Sequence, residues 1–143
     1  MACVIHYKDQ NVLANNMQFS SLIEFAIEAG QKTATEGEEC RIVGRMIDLR
    51  DREFFPGRDL DIEADFPDLN ERKFWARIFL NTAREIFDRK VGVHDHSFWQ
   101  AQRIYQAYGT GLLFEQAARS QEARWVADSI DHREFDRVIN RKP

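Results

Sequence analysis

A mainly α single domain of about five helices, carrying a short β hairpin or edge strand, is the fold class the sequence predicts, on three observations. Apolar residues recur at helical spacing through most of the chain. The 143 residues, 43% hydrophobic and 31% charged with eleven Phe and three Trp, hold enough bulky apolar material for one core without crosslinks. Strict alternation of acidic and apolar residues, the period of a strand, is confined to the stretch that follows Pro56-Gly57.

Residues 1–143 read as one helical domain with an acidic connection at 51–68. At the start, Cys3 to Tyr7 and Asn11 to Ala14 alternate weakly, which predicts a hairpin turning at Asp9-Gln10. The first helix is expected from Ser21, where Ser21 and Glu24 have capping-box spacing, to about Thr35. Its apolar face comprises Leu22, Ile23, Phe25, Ala26, Ile27 and Ala29, opposite Glu24, Glu28, Gln31 and Lys32. After the break at Glu36-Gly37-Glu38-Glu39, Cys40, Val43, Met46 and Ile47 recur at helical spacing to about Arg50, although Ile42-Val43 is also compatible with a strand.

Asp68, with Glu71 three residues later, gives an acidic start to a long helix that reaches about Val91 and is capped by Gly92. Phe74, Trp75, Ile78, Phe79, Ala83 and Ile86 occupy so wide an arc that this helix is expected at the centre, with Trp75, Ile78, Phe79 and Ile86 buried. A fourth helix from near Ser97 keeps Phe98, Ala101, Ile104, Tyr105, Tyr108 and Leu112 in one phase. Its stripe then moves to Leu113, Phe114, Ala117, Ala118 and Trp125, which predicts a break at Gly109 to Gly111. Asp131 and Glu134 start a short last helix anchored by Phe135, Val138 and Ile139.

Charge is unevenly placed. From Asp51 to Glu71, eight acidic residues against Arg52 and Arg58 leave −6 within a chain whose net charge is −4, so the remainder carries +2. Asp59, Asp61, Glu63 and Asp65 alternate with Leu60, Ile62, Ala64 and Phe66, predicting an extended strand with the carboxylates on one face and the apolar residues docked. Alternate side chains on such a strand lie about 6.6–7 Å apart, close to phosphate spacing along one nucleic-acid strand. Asp59, Asp61, Glu63, Asp65 and Asp68 are therefore the candidate partner-binding residues, and their partner is expected to be a basic protein, with no direct nucleic-acid binding. A charged edge strand that resists aggregation is the alternative for the same residues.

Other chemistry is thin. His94-Asp95-His96 places two imidazoles together, but zinc needs three or four ligands and no local Cys or His completes the set, so a helix-capping loop is expected and no metal. Asp128, His132 and Asp136 read as a solvated row interrupted by Asp131. Asp59, Asp61 and Glu63 mimic the start of a calcium loop, yet Ala64 and Asn70 stand where it needs Gly and Glu. No serine has a nucleophile-elbow pattern, and Gly109-Thr110-Gly111 lacks the length and lysine of a phosphate loop. Lys73, Arg77 and Arg84 form a narrow exposed strip, while Trp75, Trp99, Trp125, Tyr105 and Tyr108 are expected in the core. Cys3 and Cys40 lack CxxC spacing and are expected as reduced thiols.

No targeting segment, no apolar run near 18 residues and no catalytic set is present, so the expectation is a cytoplasmic, non-enzymatic binding protein without cofactor or membrane contact. Bacterial immunity proteins and antitoxins, which cover basic toxin active sites, have this profile as a class, and a cationic nuclease-type toxin is the specific partner expected. Two alternatives remain. One is a small metal-dependent or acid/base enzyme built on His94 and His96; the other is a structural subunit or adaptor that assembles through the acidic strand.

Overall fold

A computed structural model describes residues 2–52, 59–89 and 98–119. In chain order it contains β1 (Ala2–Tyr7), β2 (Gln10–Asn15), α1 (Asn16–Thr33), α2 (Gly37–Arg52), β3 (Leu60–Asp61), α3 (Ile62–Asp65), α4 (Leu69–Arg89) and α5 (Phe98–Arg119). The described residues thus form a mainly α fold with a small three-stranded sheet of order β2-β1-β3. Strands β1 and β2 are antiparallel with Tyr7 opposite Gln10, which puts Lys8-Asp9 in the turn, one residue earlier than the sequence suggests. Lys8 takes the positive φ of 54° that such a two-residue turn requires. One face of the hairpin, Cys3, Ile5, Tyr7, Val12 and Ala14, is buried against the helices.

Helix α1 begins five residues before Ser21. Asn15 and Gln18 form the capping box: the Asn15 side chain accepts from the Gln18 N–H at 2.8 Å, and the Gln18 side chain accepts from the Asn15 N–H at 3.0 Å. Burial of Phe19, ahead of Leu22 and Ile23, selects this earlier start. Phe25, expected in the apolar face, lies at its margin and is exposed. Ile42 and Val43 are buried on one side of α2, so that segment is helix and not strand. Cys3 is a buried free thiol and Cys40 an exposed one.

Helices α4 and α5 pack along each other and dominate the core. Trp75, Ile78 and Phe79 are fully buried and Ile86 nearly so, as their shared arc requires. Helix α5 runs unbroken through Gly109 to Gly111, contrary to the break the moving stripe suggests. The two glycines mark close approaches instead. A Cβ at Gly111 would lie 2.7 Å from Leu80 Cγ and 3.0 Å from the Leu80 nitrogen on α4, and one at Gly109 would lie 2.8 Å from Val12 on β2. The stripe moves because α5 changes partner along its length, so most sides of the helix are covered and the glycine cost of about 1 kcal/mol each is offset by contact.

Aromatic rings connect the elements. Phe66, after α3, meets Phe114 of α5 edge-on at 5.1 Å, Phe114 stacks on Phe79 at 5.6 Å, and Phe79 approaches Trp75 at 6.2 Å. Tyr108 is buried as expected, whereas Tyr105, also expected in the core, is half exposed. Trp125, the side chain of Trp99, Gly92 and the expected last helix lie outside the described residues.

Candidate functional site

The acidic segment does not form the expected strand. Only Leu60 and Asp61 are extended, pairing in parallel with Ile5 and His6 of β1, and the chain then turns into the single helical turn α3. The correction has a local cause. Asp61 is the N-cap of that turn, its Oδ1 accepting from the Glu63 N–H at 3.0 Å and from the Ala64 N–H at 3.3 Å. Asp65 closes the turn from the other side, its Oδ2 accepting from the Asp61 N–H at 3.0 Å. A carboxylate two residues before the N–H it binds satisfies an Asx turn as readily as it fits an alternating strand. Consequently Ala64 is exposed instead of docked, and the carboxylates fan around a corner without the regular spacing of phosphates.

The remaining candidates flank this turn. Asp59 is exposed, and its Oδ1 accepts from the Val4 N–H of β1 at 3.2 Å. Asp68 stands before α4, accepting from the Asn70 N–H at 2.8 Å through its carboxylate and from the Arg72 N–H at 3.2 Å through its carbonyl. Glu63 is exposed and, among the described residues, its carboxylate has no intramolecular partner. The five candidate residues thus do share one corner of the molecule. Four of them also hold a backbone N–H, so their acidity has a folding role besides any binding role.

Three buried or half-buried charged residues fasten the corner: Arg72 and Arg45, which sequence reasoning passed over, and Glu71, which it read only as part of the acidic start of α4. Leu60, Ile62 and Phe66 insert fully into the core beneath it. Above them, buried Arg72 donates from Nε to the Phe66 carbonyl at 2.6 Å and from Nη1 to the Ala117 carbonyl of α5 at 3.0 Å. Arg45 of α2 donates to the Asp65 carbonyl at 2.6 Å, and its Nε lies 2.7 Å from Oε2 of Glu71, a carboxylate at the start of α4 that is only 4% exposed. Burial pushes the Glu71 carboxyl above its usual range; Arg45 pulls it back only in part, and Asp68 raises it further. The signal for Arg72 was its phase: it sits three and four residues before Trp75 and Ala76, on the buried arc of α4.

Elsewhere, the expected basic strip on α4 is partly tied down, with Arg77 paired to Glu39 of α2 at 2.9 Å and lying over the Phe74 ring. A shallow groove of about 300 Å³, counting space open to solvent, runs between α1, α4 and α5 and is lined by Gln18, Ser21, Phe25, Thr82, Arg103 and Gln106. Its amides are already mutually bonded: Gln18 donates to Gln102 at 2.9 Å, and Gln106 donates to Gln18 at 3.0 Å. His94, Asp95, His96, Asp128, His132 and Asp136 lie outside the described residues. No helix of the described residues is long and apolar enough to cross a membrane. Comparison of the chain with protein-family models, with curated proteins and with solved structures finds no match to any of them.

Proposed function

We propose that this protein is a small binding protein whose acidic corner docks a basic protein, most specifically an immunity or antitoxin protein that neutralises a cationic nuclease-type toxin by covering its active site. One observation carries the reading. Residues 59–68 contain five carboxylates and no lysine or arginine, and they stand on a turn anchored by three fully buried apolar side chains. An anchored cluster of one sign loses little order on docking and steers an oppositely charged partner toward it. An ionised carboxylate offers about four lone-pair sites, so accepting a backbone N–H does not by itself exclude a binding role for the same side chain.

The test is capture of partners from the native host on immobilised wild-type protein and on a Glu63→Lys variant, followed by association kinetics at two ionic strengths. Glu63 is the appropriate probe because its carboxylate is exposed and bonds no other group among the described residues. The expected result is a basic partner whose association is fast at low salt, slows steeply as salt rises, and is slower still for Glu63→Lys. A partner that binds the variant as fast as wild type at low salt would reduce the corner to a folding device, its acidity explained by the five bonds that four of its carboxylates accept from backbone N–H groups.

A further inference from the structure

Large apolar side chains left in solvent are few, and they are gathered in one place. Among the described residues they are Leu13, Met17, Phe25 and Tyr105, exposed to 62%, 75%, 38% and 50%. All four border the amide network that joins β2, α1 and α5. The Leu13 carbonyl accepts from Gln106 at 3.2 Å, Met17 precedes Gln18, and Tyr105 lies between Gln102 and Gln106 in sequence. Phe25, two turns beyond Gln18 on α1, lines the same groove, with the Arg103 guanidinium 5.6 Å over its ring. Single exposed apolar residues need no explanation, but four around one centre form a patch, and the largest patch on a small protein is often functional. Together they expose on the order of 400 Å², close to the non-polar share of one side of an interface that buries about 800 Å² per partner.

We propose that this patch is the surface through which two copies of the chain pair about a two-fold axis. The choice of occupant follows from charge. A two-fold contact sets a surface against itself, so a face of one sign repels its copy, whereas apolar side chains and amides, which both donate and accept, match themselves. The chain carries a net charge of −4, and its acidic corner at the β3 edge of the sheet cannot pair in this way. None of the residues that form the patch at the β2 edge is acidic. On its α1 flank Glu24 and Glu28 are paired with Arg50 at 2.6 Å and Lys32 at 3.3 Å. The contact is made by side chains and not by sheet extension, because Gln106 occupies the Leu13 carbonyl and Gln18 the Asn15 N–H at 3.0 Å, closing the outer edge of β2 at both points. Strand β1 separates the two edges, so pairing here leaves both acidic corners open and does not rest on what they bind.

Sedimentation of the full chain across a concentration series is the test. Wild type should move from the 16.8 kDa of one chain toward twice that mass as concentration rises. Met17→Glu and Leu13→Glu bury an unpaired carboxylate in the contact and should each weaken the dimer about tenfold or more. Neither should harm the fold: both side chains are exposed, and Met17 stands in the first turn of α1, which has no acidic residue and favours one. Glu63→Lys, at the acidic corner, should leave the dimer constant unchanged. In a mixture of isotope-labelled and unlabelled wild-type chains, intermolecular NOEs should join the Leu13 and Met17 methyl groups to the Tyr105 or Phe25 rings. Pairing through this patch is overturned if the chain stays monomeric at NMR concentrations, whether another protein or residues 120–143 of the same chain then cover the patch. It is equally overturned by a dimer that neither glutamate variant weakens, or that Glu63→Lys disrupts instead. Should a variant fail to fold, the intermolecular NOEs of wild type decide alone. No partner from the host enters any step, so failure here is distinct from failure of the capture experiment.

Discussion

The α4–α5 pair and the corner at 59–68 are both held in place by buried side chains, yet they are specified in different ways. In the helix pair, register comes from volume: Trp75, Phe79, Leu80 and Phe114 interlock, and Gly111 brings α5 onto the backbone of α4. In the corner, three apolar anchors fix position, while the path of the backbone is set by polar bonds from Asp59, Asp61, Asp65 and Asp68 and by the arginines at 45 and 72. Packing contributes through many small contacts and tolerates little change in volume, whereas a cap or turn bond contributes about 1 kcal/mol and acts locally.

That contrast predicts a graded series of effects. Ile78→Ala, in the helix pair, should cost about 2–5 kcal/mol through lost burial and a residual cavity, seen as a lower denaturation midpoint with an unchanged slope. Gly111→Ala should cost about 1–3 kcal/mol despite the better helix propensity of Ala, because the new methyl meets Leu80 including its backbone nitrogen. The control is Gly44→Ala on α2, where a Cβ meets nothing within 4 Å, and it should stabilise by about 0.5–1 kcal/mol. Equal signs for the two glycine variants in urea denaturation would mean that α5 does not approach α4 as closely as described.

In the corner, Asp61→Ala should cost about 1 kcal/mol as a lost N-cap. The loss should appear as faster exchange of the Glu63 and Ala64 amides before any change in the α4 core. A core-wide loss would mean that the corner and the helix pair unfold as one unit. Glu63→Lys should shift stability by less than about 0.5 kcal/mol, since its side chain is exposed and makes no bond among the described residues, leaving only partner association to change.

The two regions were also unequally legible. The arc of Phe74, Trp75, Ile78, Phe79 and Ile86 identified the central helix because a helix buried over a wide arc has no other solution at that spacing. The hairpin, the helical end of the first segment and the long helix after Asp68 followed from local periodicity and capping chemistry. The corner was misread because Asp59, Asp61, Glu63 and Asp65 repeat every second residue, and that spacing serves both a strand and an Asx-capped turn. Only Leu60, Ile62 and Phe66 behaved as the alternation predicted. The helix start was displaced for a similar reason: Asn15 with Gln18 and Ser21 with Glu24 are equivalent local signals, and burial of Phe19 chose between them.

By itself, the sequence determined the mainly α class, the hairpin, the buried face of α4 and the concentration of acid between α2 and α4, all of which depend on residue type and spacing within a few turns. Tertiary structure decided the rest. It chose a continuous α5 over a broken one, because Gly109 and Gly111 answer to Val12 and Leu80, which are remote in sequence. It converted the acidic alternation into a capped turn, because Phe66 must reach Phe114 while Arg45 and Arg72 gather the carbonyls of Asp65 and Phe66. It also buried Glu71 next to Arg45. Each outcome depends on which distant groups arrive at one point, and local spacing carries no information about that.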